Sequence, residues 1–175
     1  MPMAAGVGVT CSGKTYSETP ANEGHGGYST AWIIPELPGW LLQLAARNQT
    51  PDIVLIHLET NNFWNGYVAP QTTLNDYATI VGQLRAANPY VEIIVAQIIP
   101  LLFTAATRQC TKNLNTAIPA WMDSNTTTRS PVYVVNLETG FDPAFVAADY
   151  YRCHPDSAGA KWMADQVYPL LAPLL

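Results

Sequence analysis

Asp52-Ile53-Val54-Leu55-Ile56-His57-Leu58 is the stretch on which the fold turns. Five of its seven residues are apolar, and they follow one another without the polar alternation of a strand that wets one face. The run is also too short for a core helix. It predicts a strand buried on both faces, which is the habit of parallel sheets covered by helices. Residues 91–99 and 132–137 have the same character and predict two more such strands. Between and after them the period changes. Leu74, Tyr77, Val81 and Leu84 fall at helical spacing, as do Leu114, Ala117, Ile118 and Trp121, and then Met163, Val167, Leu170 and Leu171. Residues 40–46, shortly after Pro38, read as a further helix.

Strands alternating with helices at this spacing predict an α/β fold, a three-layer α/β/α sandwich around a central parallel sheet. In such sheets ligands sit beyond the carboxyl ends of the strands. Segments 59–66, 100–110 and 138–154 therefore frame the expected site, and the first and last of them are unusually polar for this chain.

The 175 residues suffice for one domain with a sizeable core, with no repeat, linker or low-complexity stretch to divide it, so a single domain over 1–175 is expected. Hydrophobic residues make up 49% against 12% charged, which excludes a disordered chain. No apolar run reaches the length of a membrane span, so a soluble protein without a membrane partner is expected. A net charge of -5 with no Lys/Arg cluster speaks against nucleic acid and for neutral or basic ligands. Cys11, Cys110 and Cys153 show no metal-type spacing, so no structural zinc is expected, and at most one internal disulfide can form. The first eight residues contain no signal-peptide pattern. Sequons at Asn48 and Asn125 are usable only on a secretory route.

Four blocks carry a resemblance. They are Asn22-Glu23-Gly24-His25-Gly26-Gly27-Tyr28; the strand at 52–58 running into Glu59-Thr60-Asn61-Asn62-Phe63-Trp64-Asn65-Gly66; Val95-Ala96-Gln97-Ile98-Ile99-Pro100; and Cys153-His154-Pro155-Asp156-Ser157-Ala158-Gly159. In order and spacing they resemble the SGNH hydrolases, in particular the fungal-type acetylxylan esterases of carbohydrate esterase family 3. The resemblance runs from about residue 20 onward and implies the flavodoxin-like SGNH form of the sandwich.

That family cleaves acyl esters with a serine nucleophile, a glycine N–H and an asparagine amide that hold the oxyanion, and a histidine base. Carried over block by block, the resemblance implies Gly27 and Asn61 as the oxyanion donors and His154 as the general base. The departures are specific. Glu59 and Asn62 stand where the family pattern Gly-x-Asn-Asp has glycine and aspartate, and Glu59 is expected to crowd the pocket or repel an oxyanion. Tyr151 stands where the family has the aspartate that orients the histidine, with Asp149 a further candidate for that duty. No Gly-Asp-Ser occurs in the chain. The nucleophile is therefore unidentified, and the first strand that bears it in the family is expected to be missing, leaving unpaired backbone groups in the sheet. Met122-Asp123-Ser124 contains Asp-Ser but reads as a helix end.

Gly8-Val9-Thr10-Cys11-Ser12-Gly13-Lys14-Thr15 satisfies the phosphate-loop pattern G-x-x-x-x-G-K-[ST]. Such a loop must open into a helix, and the Pro20, Gly24, Gly26 and Gly27 that follow make one hard to read there. Cys153 beside His154 suggests a thiol nucleophile, but neighbours in an extended segment point to opposite sides, so a disulfide or buried cysteine is expected. Tyr28 and Trp64 read equally as a sugar-stacking surface and as packing residues. The resemblance implies deacetylation of xylan or similar sugar esters, secretion, and no metal or organic cofactor. Its rival is a catalytically silent carbohydrate-binding or interaction protein built on the same scaffold, with nucleotide binding at 8–15 a remote third.

Overall fold

The computed structural model describes residues 10–11, 14–15, 24–63, 68–148 and 152–175, and statements of absence below concern these residues. Three parallel strands form the central sheet in the order β3-β4-β5: β3 (Ile53–Ile56), β4 (Glu92–Ala96) and β5 (Val132–Val135). Ile53 is level with Glu92, and Ile93 with Val132. Ahead of the sheet, β1 (Thr10–Cys11) and β2 (Lys14–Thr15) pair antiparallel as a short hairpin. Lys14 and Thr15 are thus strand residues, where a phosphate loop would already be turning into its helix. The phosphate-loop reading loses the context it needs.

Four helices complete the fold: α1 (Thr30–Ala45), α2 (Pro70–Ala87), α3 (Ala105–Asn125) and α4 (Ser157–Leu171). Because successive strand residues face opposite ways, Ile93 and Val95 enter one core with Ile33 and Leu41 of α1, Leu74, Tyr77 and Leu84 of α2, and Leu114 and Ile118 of α3. Ile94 and Ala96 enter a second core with Val135, Leu137 and Phe141, against which Met163, Val167 and Leu170 of α4 pack. The layers are α/β/α as expected, three helices on one face and one on the other.

The start of α1 departs from the reading that placed a helix only from Trp40. It begins ten residues earlier and runs through Pro35 and Pro38. Pro38 cannot donate to the Ile34 carbonyl, and that carbonyl instead accepts from Gln83 Nε2 of α2 at 2.9 Å. The same device recurs in α3, where Pro119 leaves the Asn115 carbonyl to accept from Gln97 Nε2 at 2.7 Å. A glutamine from the neighbouring element removes part of the cost that normally bars proline from helix interiors.

The second correction concerns β3. Its apolar run predicts burial on both faces, yet Leu55 is 48% exposed. No strand among the described residues pairs with the outer side of β3. Among the described residues that edge of the sheet is therefore open, in keeping with the expected lack of the family's first strand.

Candidate active site

Each loop beyond a carboxyl strand end is tied down by hydrogen bonds. After β3 the chain turns sharply, with the Asn62 N–H donating to the Glu59 carbonyl at 2.9 Å. Glu59 adopts φ 119°, a conformation natural to glycine and strained for a side chain. The turn aims two asparagines at the segment before α1. Asn61 Nδ2 donates to the Tyr28 carbonyl at 2.9 Å. The Thr30 N–H donates to Asn62 Oδ1 at 3.1 Å, and Asn62 Nδ2 donates to Thr30 Oγ1 at 2.9 Å. Thr30 in turn donates to Asp76 of α2. Asn62 is thereby an anchor at the first turn of α1.

Gly27 sits in the turn just before, where the Tyr28 N–H donates to the His25 carbonyl at 3.3 Å. Its φ of +81° is the reason for glycine, since a Cβ would meet nothing within 4 Å. The Asn61–Tyr28 bond holds the asparagine beside this open turn. Gly27 and Asn61 are therefore brought together.

His154 lies beyond β5, in a loop pinned from three directions. The Leu102 N–H donates to the Arg152 carbonyl at 3.1 Å, the Ala147 N–H to the His154 carbonyl at 2.8 Å, and the Asp156 N–H to the Phe145 carbonyl at 2.8 Å. Gly159 is required there, because a Cβ would come within 2.7 Å of the Phe145 carbonyl oxygen. Its N–H donates to Asp156 Oδ1, which caps α4. Cys153 is buried in the core that holds Phe63 and Leu101, so the thiol is a packing residue, not a nucleophile presented to a cleft. The side chain of His154 is exposed at the same end of the sheet as Asn61. Asp149, Tyr151 and Trp64 lie outside the described residues. Ser124 ends α3 as expected, donating to the Ala120 carbonyl at 3.1 Å.

The negative charge that the position of Glu59 suggests is weakened by burial. The residue is 2% exposed and accepts from Thr73 Oγ1 of α2. Desolvation pushes its carboxyl up to about 7, with Asp76 adding to the rise. Burial favours the neutral acid, which repels an oxyanion far less than a carboxylate would. Glu59 Oε2 and, two residues earlier, His57 Nε2 are buried without hydrogen-bond partners. Burial pushes His57 down to about 4, so its ring is neutral at pH 7.

Asn115 escaped the reading of the sequence. Its Oδ1 accepts from the Ile98 N–H and its Nδ2 donates to the Ile98 carbonyl, both at 2.8 Å, which clamps the chain leaving β4. The available signal was a polar residue one position after Leu114 on an otherwise apolar helix face. No cluster of three metal-ligating side chains occurs among the described residues. No helix there is long and apolar enough to cross a membrane.

A family model described as the GDSL-like lipase/acylhydrolase family matches residues 8–162. The chain belongs to that family. Among solved structures, an acetyl esterase crystallised as a serine-to-alanine mutant with an acetate ion is 34% identical, with a TM-score of 0.76 over 87% of this chain and 70% of its own. A family 3 carbohydrate esterase from Talaromyces cellulolyticus gives the same figures: 34% identity, TM-score 0.76, 87% and 70%. One from Clostridium thermocellum, 23% identical with a TM-score of 0.66 over 84% of this chain and 66% of its own, shares the fold. No curated protein matches. Within the GDSL-like acylhydrolases the likeness is thus to carbohydrate esterase family 3, as the four blocks imply.

Proposed function

We propose that this GDSL-like acylhydrolase is a single carbohydrate esterase domain whose ligand is an acetylated sugar, xylan or a similar glycan, with Gly27 and Asn61 as oxyanion donors and His154 as general base. The observation that carries the reading is the 2.9 Å bond from Asn61 Nδ2 to the Tyr28 carbonyl. It uses one amide hydrogen to fix the side chain beside Gly27, and the second is left for a ligand. With a serine supplied to complete the site, its hydroxyl would attack the acetyl carbonyl, and His154 would take the hydroxyl proton and return it to the leaving sugar oxygen. Water would then release the acetyl group from the serine as acetate, and the two N–H donors would stabilise the tetrahedral oxyanion of each step. Each such donor is worth about 3 kcal/mol of transition-state stabilisation. The acetyl esterase and family 3 likenesses support the acetyl group and the sugar; xylan and secretion are inferred from the same kinship. Asn48 lies in an exposed turn with room for a glycan, whereas Asn125 spends its amide on the Trp121 carbonyl at 2.8 Å.

A second reading, sugar binding without hydrolysis, is favoured by the absence of Gly-Asp-Ser from the 175 residues. Hydrolysis of p-nitrophenyl acetate and of acetylated xylo-oligosaccharide by the purified chain separates the two. The esterase reading expects turnover that His154→Ala abolishes and Asn61→Ala lowers about a hundredfold. Residual rates identical in wild type and His154→Ala would remove it and leave the binding protein.

A further inference from the structure

We propose that the first two turns of α1 and the turn before it form a subsite for a neutral pyranose ring of the glycan backbone, with Trp32 and Tyr28 as the stacking surface and Glu36 as the hydroxyl acceptor. This rests on the sugar-ester reading above and extends it from Tyr28, which the first block contains, to Trp32 and Glu36, which the four blocks leave unassigned. Trp32 and Glu36, four residues apart, lie along one face of α1, and Tyr28 stands in the turn just before that helix. With Ala31 and Pro35 they line an open groove of about 270 Å³. Trp32 is 57% exposed.

A single exposed tryptophan would be unremarkable on any surface. This one meets Tyr28 edge to face, with centroids 5.6 Å apart. Tyr28 stacks on His25 at 4.7 Å, and His25 stacks on Trp40 at 4.5 Å. The aromatic surface is therefore backed by a column of rings and gives up little side-chain freedom when a ligand covers it.

The chemistry of the groove selects its occupant. Aromatic faces accept the C–H side of a pyranose, and the Glu36 carboxylate accepts its hydroxyls. An acyl chain would have to desolvate that carboxylate. A phosphate or uronate would meet like charge from Glu36 and from a chain of net charge -5. The position of the groove follows from the turn: Tyr28 adjoins Gly27, and its carbonyl takes the Asn61 amide. The acetylated ring would sit at the turn and the next ring of the chain over Trp32.

Calorimetric titration of the chain with xylohexaose, which carries no acetyl group, tests the subsite apart from turnover. The expected result is measurable binding, at least tenfold weaker in Trp32→Ala, about threefold weaker in Glu36→Gln, and largely kept in Trp32→Phe. Far-ultraviolet circular dichroism confirms that the exposed substitutions leave the fold intact. Equal affinity in wild type and Trp32→Ala overturns the subsite, as does no binding of xylo-, cello- or manno-hexaose. Binding of an alkyl ester or an anionic sugar through Trp32 in preference to the neutral glycan overturns it too. The p-nitrophenyl acetate assay decides the esterase reading separately, because that substrate has no second ring to reach Trp32.

Discussion

Strands β3 and β4 run in register as parallel neighbours, and both are built almost wholly from Ile, Val, Leu and Ala, but they live in different surroundings. Ile93, Ile94, Val95 and Ala96 of β4 are all fully buried, whereas Leu55 of β3 is 48% exposed. The cause is what stands beside each. β4 has a strand on either side and helices on both faces. β3 has a strand on one side, and over its α4 face lies a groove of about 340 Å³ lined by Leu55, His57, Met163 and Val167 among others. The backbone leaving β4 is clamped, because Asn115 satisfies both backbone groups of Ile98, although each strand end holds buried side-chain atoms without partners: Gln97 Oε1 beyond β4, and His57 Nε2 and Glu59 Oε2 beyond β3. An apolar run states that a segment can tolerate burial, and the neighbours decide whether burial happens.

The largest test of that contrast is a truncation in the covered strand. Ile94→Ala leaves a cavity between the sheet and α4 and is expected to cost about 4 kcal/mol in urea unfolding. A cost under 1 kcal/mol would mean that the second core is too loosely packed to distinguish β4 from its neighbour.

A somewhat smaller effect is expected at the strand ends. Asn115→Ala strands a buried N–H and a buried carbonyl on Ile98, for about 3 kcal/mol of lost stability. Asn115→Asp can still accept from the N–H but cannot donate to the carbonyl, so it should not restore stability. Full recovery with aspartate would show that the carbonyl half of the clamp carries no weight.

How much of this was legible beforehand depends on whether the deciding partner lies near in sequence. The buried faces of α2 and α3 were readable because Leu74, Tyr77, Val81 and Leu84, or Leu114, Ile118 and Trp121, need only their own spacing to declare a face. The start of α1 was not, because Pro35 and Pro38 argue against a helix and Gln83, which satisfies the freed carbonyl, lies 49 residues from it. Gly27, Asn61 and His154 are candidates through their motif blocks alone, and the structure sets Asn61 beside the turn that holds Gly27. The fate of Glu59 was hidden. Its residue type announces an anion, while its φ of 119° and its bond from Thr73 come with the turn in which its carboxyl is buried and pushed toward neutrality.

The buried Glu59 carboxyl and the half-buried His57 ring at the end of the open strand make a prediction whose sign can be worked out. The Glu59 pKa is raised from 4.5 to about 7, so from pH 4.5 to 7 the folded state holds more protons than the unfolded one and stability falls as pH rises. The His57 pKa is lowered from 6.5 to about 4, so over that interval the unfolded state holds more protons and stability rises with pH. The two slopes oppose each other. Wild-type stability should be nearly flat between pH 5 and 6.5. His57→Gln removes the rising slope and leaves stability falling by about 2 kcal/mol across the same range. Urea midpoints at four pH values check this. A flat profile in His57→Gln would show that Glu59 stays ionised in the fold, and with it that the end of β3 is as well solvated as its edge.

The smallest expected effect bears most directly on the comparison. Leu55 points into the α4-side groove, on the same face as Ile94 but at the open edge of the sheet. Leu55→Ala should cost well under 1 kcal/mol, because a side chain that already meets water gains little further exposure when shortened. The ratio of the Leu55 and Ile94 costs then measures how unlike the two strands are. Near one to four or beyond, the edge is open in solution. Equal costs would mean that Leu55 is covered there, since only a covered leucine can be missed as much as a buried isoleucine.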